Sequence, residues 1–557
     1  MKHWIIVIVL IFLVPSFASL LRQGIFPMQD DLQALRLHQM NRCFEDFQIP
    51  CRWVPDMGYG FGYPQFSFYA PLVYYIGEAF HLLGMQFIDV LKLLFVTGFI
   101  LSGAAMYLLA REFMTRFPSL IATLFYVYAP VRAVQVYVRG SLSEFWVAVF
   151  LPVVLWAAIK FVRTTDKKYL GYYSLFVGLL VLTHNLLPAF FIGLVVAVVT
   201  YYSWREKKLS VLPKFFLGTV LGLGLAAFFL IPLLVEFRFV HADTLLGGYF
   251  DYRRHFVSFT QLFFSNTWGY GSSDLGSSDD LALSVGVLHW PIALAGIVLV
   301  FLIRKKERLW HIVLPMAVSV LALTFLMHAK SHTIWENLNF LAWLQFPWRF
   351  LVLTNFILAF LVGVAIHQLR VFAKVVGVLL IIMVLFFYAP FFAPRDWYTI
   401  TDNDKFSGDA WVKQLTISIF DYLPISASMP PDRQAPDLPE ILEGQAVFSA
   451  YKRGSNFQEG VIDSATESLV RVPFFDFPGV TAYIDGEITK YVSDDCRGQK
   501  NCLGLVTIRV PEGIHTFKVK LENTPARVLG NVVTLVSVAI LVLLFRGKRN
   551  DKNQGTN

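Results

Sequence analysis

The chain has 557 residues, 56% of them hydrophobic and 15% charged, with a mean hydropathy of +0.57. A soluble domain is about a quarter charged, so most of this chain is solvated by lipid and a soluble globular fold is excluded. The net charge of +8 is spread in short basic clusters between apolar runs, which is how topology is written in a membrane protein; a nucleic-acid partner is excluded.

The N-terminus, Met1-Lys2-His3-Trp4 followed by an apolar run to Leu21, imitates a signal peptide, and Pro15, Ser16 and Ala18-Ser19 imitate its cleavage region. The run is long for a signal core and long enough to span, so it reads as an uncleaved first helix. Apolar runs of spanning length follow near 88–110, 117–136, 143–162, 169–184, 186–203, 212–235, 284–303, 310–327, 342–366, 372–393 and 528–545. With 4–21 they predict twelve spans. The stretch 66–84, interrupted by Pro71, Glu78 and His81, reads as a re-entrant or interfacial segment.

Basic clusters fix the orientation. Lys2, Arg111 with Arg116, Arg163 with Lys167 and Lys168, and Arg205 with Lys207 and Lys208 belong on the cytoplasmic side. So do Arg304-Lys305-Lys306 with Arg308, Arg370 with Lys374, and Arg546 with Lys548 and Arg549. Twelve spans with both termini in the cytoplasm put every cluster on that side of a plasma membrane, and a thirteenth would scatter them.

Three long segments then face outward: 22–87, 236–283 and 394–527. They hold all four cysteines, Cys43 with Cys51 and Cys496 with Cys502. Two short-range disulfides in an oxidising compartment follow, and the spacing does not suit zinc.

The first outer segment opens on Gly24-Ile25-Phe26-Pro27-Met28-Gln29-Asp30-Asp31. A helix is predicted from Asp31 to Phe47, with Leu32, Leu35, Leu37 and Met40 on its apolar face. Aspartates at a helix start serve as caps and dipole partners as readily as they serve chemistry. Neighbours on a helix point about 100° apart, so one aspartate is expected to be chemical and the other structural. Beyond them the segment is rich in aromatics and glycines, among them Trp53, Tyr59, Phe61 and Tyr63.

Ionisable groups inside the membrane are costly and face a cavity or a partner. Here they gather at the outer ends of the spans: Arg139-Gly140-Ser141 with Glu144, Thr183-His184-Asn185, His328 with Lys330 and His332, and Gln345-Phe346-Pro347-Trp348-Arg349. Four such groups on one face predict an outward polar cavity. Segment 236–283 reads as a solvated loop, with His241 and Asp243 too few for a metal site and Gly271 to Asp280 a flexible loop or lid.

The last outer segment is read as a domain. After a Pro/Asp/Ser-rich stretch with weak strand signals, Val480–Ile484 and Glu487–Val492 flank an Asp485-Gly486 turn. Leu505–Val510 and Ile514–Leu521 flank Pro511-Glu512-Gly513. Two hairpins of a small β-sandwich are expected, with Cys496 and Cys502 stapling a loop. Asp402, Asp404 and Asp409 do not fit a calcium loop and read as solvated.

Taken together, Gln29-Asp30-Asp31, Tyr137-Val138-Arg139-Gly140-Ser141 with Glu144, Leu182-Thr183-His184-Asn185 and Gln345-Phe346-Pro347-Trp348-Arg349 resemble the GT-C superfamily of membrane glycosyltransferases. Asp421-Tyr422-Leu423-Pro424 and Phe477-Pro478-Gly479 ahead of Tyr483-Ile484-Asp485-Gly486 extend the resemblance to bacterial integral membrane proteins with a C-terminal β-domain. One branch of these is labelled "6-pyruvoyl-tetrahydropterin synthase-related", and a related one is implicated in glycosylating cell-surface polymers. One departure is Val480 after Gly479, where the stretch usually carries a glycine or tryptophan. No three-histidine constellation supports pterin chemistry.

The resemblance implies a GT-C-like core, 1–393, an outer β-rich domain, 394–527, and a final span with a basic tail, 528–557. It implies transfer of a sugar from a polyprenyl-phosphate carrier to a glycan, lipid or protein acceptor of the cell envelope, with inversion. Asp30 or Asp31 would act as general base, and Arg139, Arg349, His184 and Glu144 would hold the leaving phosphate. Trp53 and Tyr59 are expected either to stack on sugar rings or to pack at the interface. A divalent metal bridging a carboxylate and the phosphate is compatible with this chemistry; the sequence does not demand one. The rival readings are a transporter or flippase for a lipid-linked glycan, and a non-catalytic scaffold for surface polymer. Polar groups crowd the outer ends and no inverted repeat is visible, which argues against alternating access.

Overall fold

The computed structural model describes residues 11–275, 279–303 and 309–546. A bilayer offers backbone amides no water, so the apolar runs bond within themselves as helices. Seven helices are long and apolar enough to cross a membrane: Phe87–Ala110, Leu142–Thr164, Leu187–Arg205, Trp310–Met327, Pro347–Gln368, Arg370–Phe391 and Pro525–Arg546. Two bent pairs make nine if each is one span: Arg116–Val127 with Pro130–Val138, bent by 48°, and Leu209–Leu225 with Ala227–Phe239, bent by 75°. The chain is an integral membrane protein.

The twelve predicted spans are not reached among the described residues. The runs 169–184 and 284–303 form helices of only 15 residues, Lys167–Val181 and His289–Ile303. At 1.5 Å per residue these measure about 22 Å, short of a bilayer core of about 30 Å. Most of the run 4–21 lies outside the described residues, as do Lys2, Arg304 to Arg308, Lys548 and Arg549. The stretch 66–84 breaks into Gln65–Phe68 and Leu72–His81, neither long enough to span.

Pro347–Gln368 and Leu142–Thr164 are buried almost throughout and form the centre of the bundle, whereas Pro525–Arg546 runs along its edge. That last helix repairs the 75° bend. Thr534 Oγ1 accepts a hydrogen bond from Phe228 N (2.9 Å) and donates one to Gly224 O (3.2 Å), so the backbone groups freed by the break are satisfied inside the protein. The close approach needs a glycine: a Cβ on Gly224 would lie 2.3 Å from Ser537 Oγ. Beyond the bend, the buried Arg527 donates Nη2 to Glu236 Oε2 at 2.9 Å and to Pro478 O at 3.0 Å, and Nη1 to Glu522 O at 2.8 Å. One ion pair thereby ties the bent helix, the last helix and the outer strands together.

The region before the last helix contains nine strands: β1 Glu440–Glu443, β2 Ala446–Arg453, β3 Phe457–Ser464, β4 Ser468–Phe475, β5 Val480–Ile484, β6 Glu487–Thr489, β7 Tyr491–Val492, β8 Leu505–Val510 and β9 Gly513–Leu521. They form two antiparallel sheets, ordered β1-β4-β8-β7 and β2-β3-β9-β5-β6. Ile462, Val470, Val472, Val506, Ile508 and Val519 are fully buried in their core. The predicted β5–β6 hairpin is present, its Asp485 and Gly486 both in the left-handed region that an Asp-Gly turn requires. The predicted hairpin through Pro511-Glu512-Gly513 is not: β8 pairs with β4 and β7, β9 with β3 and β5, so this turn carries the chain from one sheet to the other. The first four strands were hidden by their Pro-rich preface. Both cysteine pairs are bonded, Cys496–Cys502 within the β7–β8 loop and Cys43–Cys51 in the first outer segment. Asp402 is not simply solvated: its carboxylate accepts from Phe87 N and Ile88 N, at 2.6 and 3.0 Å, at the N-terminus of the helix Phe87–Ala110.

Candidate active site

The first outer segment and the turn after Pro130–Val138 are stitched together through their backbones. Gln29 N donates to Val138 O at 3.0 Å and Asp30 N to Arg139 O at 2.9 Å. Gly140 makes this possible: its φ is +64°, and a Cβ there would meet Met28 Sδ at 2.4 Å. The Asp30-Asp31 pair and the Arg139 turn therefore form one rigid unit.

The expected helix begins at Gln33, two residues later than predicted, and its N-cap, Leu32, makes no side-chain cap. Neither aspartate is an N-cap. Both sit in the preceding turn, where the 100° helical spacing does not apply, and both line the same cavity. The helical spacing therefore gives no ground for dividing a chemical from a structural aspartate here. Asp30 accepts from Arg36 Nη1 at 3.0 Å on each oxygen and from Gln33 Nε2 at 2.7 Å. Arg36 is buried over the Tyr69 ring, 4.3 Å from its centroid. Burial works against the Arg36 charge, but the Asp30 carboxylate with Tyr69 and Tyr74 more than offsets it and holds the guanidinium ionised. Asp31 accepts from Lys405 Nζ at 2.6 Å, a residue of the outer region. Burial pushes the Asp31 carboxyl above its ordinary value, with Lys405 opposing.

Facing them is an arginine pair built around one buried carboxylate. Glu144 Oε2 accepts from Arg139 Nη1 at 2.9 Å and from Arg349 Nε at 3.2 Å, and Gln135 Nε2 donates to its other oxygen at 3.2 Å. Gln135 sits on a π-helical turn, Val134–Val138, a distortion frequent at functional sites. Arg139 also lies 4.6 Å from the Trp348 ring centroid, and Arg349 4.9 Å from that of Phe346. One carboxylate shared by two guanidiniums leaves a positive charge in surplus. His184 Nδ1 accepts from Leu186 N and Leu187 N, at 3.2 and 3.4 Å. Those bonds put its ring proton on Nε2, the nitrogen left to donate.

Asp30, Asp31, Arg139, Glu144, His184 and Arg349 all line one cavity of about 840 Å³. So do Arg36, Gln345 and Asp421, which sequence reasoning gave no chemical role. Asp421 lies in the Asp421-Tyr422-Leu423-Pro424 stretch, and Arg36, six residues beyond Asp30, lies on the helix predicted for its apolar face. Gln345 holds a φ of 63°, a strained backbone of the kind that collects at ligand sites. A cavity lined by fixed carboxylates and by a surplus of arginine can take up a proton and steady an anion.

Three predicted groups lie elsewhere. Trp53 is fully buried and stacked on Phe474 of β4, with centroids 4.9 Å apart, and Tyr59 binds the backbone of Leu415 and Ala435. Both pack the first segment against the outer region and do not line the cavity. His328 caps Lys330 and His332 pairs with Glu336, away from it. Residues 276–278 of the expected lid lie outside the described residues, and Ser272 and Ser273 beside them line the cavity. Among the described residues no three His, Cys, Asp or Glu side chains are grouped to hold a metal ion.

No family model and no curated protein matches the sequence. Among solved structures the chain is similar to arabinofuranosyltransferase AftD from Mycobacteria, with a TM-score of 0.47 and 16% identity over 72% of this chain and 28% of that one. It is similar to the Archaeoglobus fulgidus oligosaccharyltransferase tethered with an acceptor peptide, with a TM-score of 0.45 and 15% identity over 72% and 56%. It is also similar to ArnT from Cupriavidus metallidurans bound to undecaprenyl phosphate, with a TM-score of 0.37 and 15% identity over 76% of each. The chain thus spans 28% and 56% of the first two in length. At such scores and identities the likenesses decide nothing about this chain's activity, which is read from its own residues.

Proposed function

We propose that the chain is a membrane glycosyltransferase that moves a sugar from a polyprenyl-phosphate carrier to a hydroxyl acceptor in a cavity open to the outer face. The observation that carries this reading is the meeting of Asp30 and Asp31 with the Arg139–Glu144–Arg349 cluster in one cavity. In the proposed step the acceptor oxygen attacks the anomeric carbon as its proton passes to Asp30 or Asp31. The bond from that carbon to the phosphate oxygen breaks, and the carrier phosphate leaves with the electron pair. A single displacement from the face opposite the leaving group inverts the centre.

The general base contributes about 10²–10⁴-fold. The leaving phosphate gains charge as the bond breaks, and two guanidiniums already oriented by Glu144, with the His184 Nε2 proton, meet it at no cost of reorganisation. Asp30 is the more firmly held carboxylate, and burial raises the Asp31 carboxyl above its ordinary value.

The twelve-span topology belongs to the same proposal, with cytoplasmic termini and the divisions at 393 and 527. Its support is the pattern of basic clusters and the two disulfides, which fall in segments read as extracytoplasmic. The deciding experiment incubates the purified protein with a panel of polyprenyl-phosphate sugars and scores free carrier. No release from any donor, with acceptor present, would sink the reading.

A further inference from the structure

The loop 417–425 belongs to the outer region yet closes the cavity of the membrane core. Tyr63 of the first segment fixes its shape: the hydroxyl donates toward Ser418 O and Ile419 O, at 3.1 and 3.3 Å, and accepts from Tyr422 N at 2.7 Å. On the far side, His241 N donates to Leu423 O at 2.9 Å and Ile425 N to Phe239 O at 3.0 Å. Ser418 itself holds a φ of 56°. A surface loop anchored this firmly presents Asp421 to the cavity in one fixed orientation.

The charges around that cavity pair off unevenly. Asp30 has Arg36, Asp31 has Lys405, and Glu144 has two arginines. Asp421 has none of these: among the described residues it enters no ion pair, and its backbone N–H donates to Ser418 O at 3.1 Å. A partly buried carboxylate without a cation costs the fold stability. A ligand recovers that cost, because the open oxygens accept from hydroxyl groups, and hydrogen bonds to a charged acceptor are the strong ones.

We infer that Asp421 is a specificity-determining residue whose carboxylate accepts hydrogen bonds from hydroxyl groups of the sugar lodged between it and the arginine pair. The inference rests on the glycosyltransferase reading of this cavity. Burial also pushes the Asp421 carboxyl up to about 6, with Asp30 adding and Arg36 and Ser418 opposing, as an acceptor kept short of partners would show.

The test uses the full-length protein in lipid nanodiscs with Asp421→Asn and Asp421→Ala. Release of free carrier gives kcat and KM, and donor binding is read from the fluorescence of Trp343 and Trp348, which line the cavity. Loss of one hydrogen bond to a charged group predicts a KM about 10- to 100-fold higher in Asp421→Ala, with kcat nearly unchanged. The rise is smaller in Asp421→Asn, whose amide oxygen still accepts. A donor lacking the recognised hydroxyl binds wild type and Asp421→Ala equally. An unchanged KM in Asp421→Ala, or a lost kcat with KM unchanged, overturns the inference while leaving the glycosyltransferase reading in place. Should Asp421→Ala not fold, Asp421→Asn and the deoxy-sugar series on wild type decide it. A wild-type protein that binds and turns over no donor overturns that reading, and this inference with it.

Discussion

Replacing Asp421 by asparagine is expected to stabilise the protein, and only above a certain pH. The carboxyl is raised from an ordinary 3.8 to about 6, chiefly by burial. Below pH 4 the folded and unfolded chains both carry the proton, so the group is neutral in its effect. Between about 4 and 6 the folded chain holds the proton that the unfolded one has lost, so stability falls as pH rises. Above 6 both are ionised and the full penalty is present. At roughly 1.4 kcal/mol per pH unit this amounts to about 3 kcal/mol. Asparagine has no such proton and escapes the penalty. Thermal unfolding of the detergent-solubilised protein from pH 4 to 8 measures it. The expected gain above pH 6 is about 3 °C for a chain of this length unfolding as one unit, and about 10 °C for the outer region unfolding alone. The two proteins should coincide at pH 4. A variant that is less stable at pH 7, or a difference that does not vary with pH, refutes the account of Asp421 as a buried, unpaired carboxylate.

Four further outcomes are expected. Asp30→Asn and Asp31→Asn should insert normally, and at least one should lose about 10²–10⁴-fold in kcat for carrier release; full activity in both single variants removes the aspartates from the chemistry. Arg349→Lys keeps the charge but not the planar fork that reaches Glu144 and Gln345, so kcat/KM should fall about 10-fold or more, read from carrier-release kinetics. Glu236→Gln leaves Arg527 buried without its partner and should cost about 3–5 kcal/mol, seen as a lower Tm. Cys43→Ser with Cys51→Ser opens a short loop and should cost about 2–3 kcal/mol in an unfolding titration.

Much of the cavity was legible because bilayers punish stray charge. Arg139, Glu144, His184 and Arg349 stood out at span ends, and the cavity gathers all four with Asp30 and Asp31. The same logic failed for His328 and His332, because a helix end in the interfacial layer can satisfy an ionisable group locally. Hydropathy reports apolar length and not the point at which a helix stops, so the runs 169–184 and 284–303 end as helices of 15 residues. Pairing was the least legible part. Arg36, Lys405 and Asp421 act on the aspartates from 6, 374 and 391 residues away, and no local pattern encodes such distances. Pro511-Glu512-Gly513 carries a hairpin's residues yet crosses between sheets, because turn chemistry fixes the bend and not the partner strand.

The reach of Lys405 to Asp31 has a consequence for how such a protein can vary. The ammonium group that sets the charge of a core carboxylate is carried by a region 374 residues away in the chain, as is the loop bearing Asp421. Grafting 394–527 from one relative onto the core of another would carry both across together. On the proposed reading the hybrid would inherit the graft's electrostatic setting and its sugar preference, while the arginine pocket stayed that of the host.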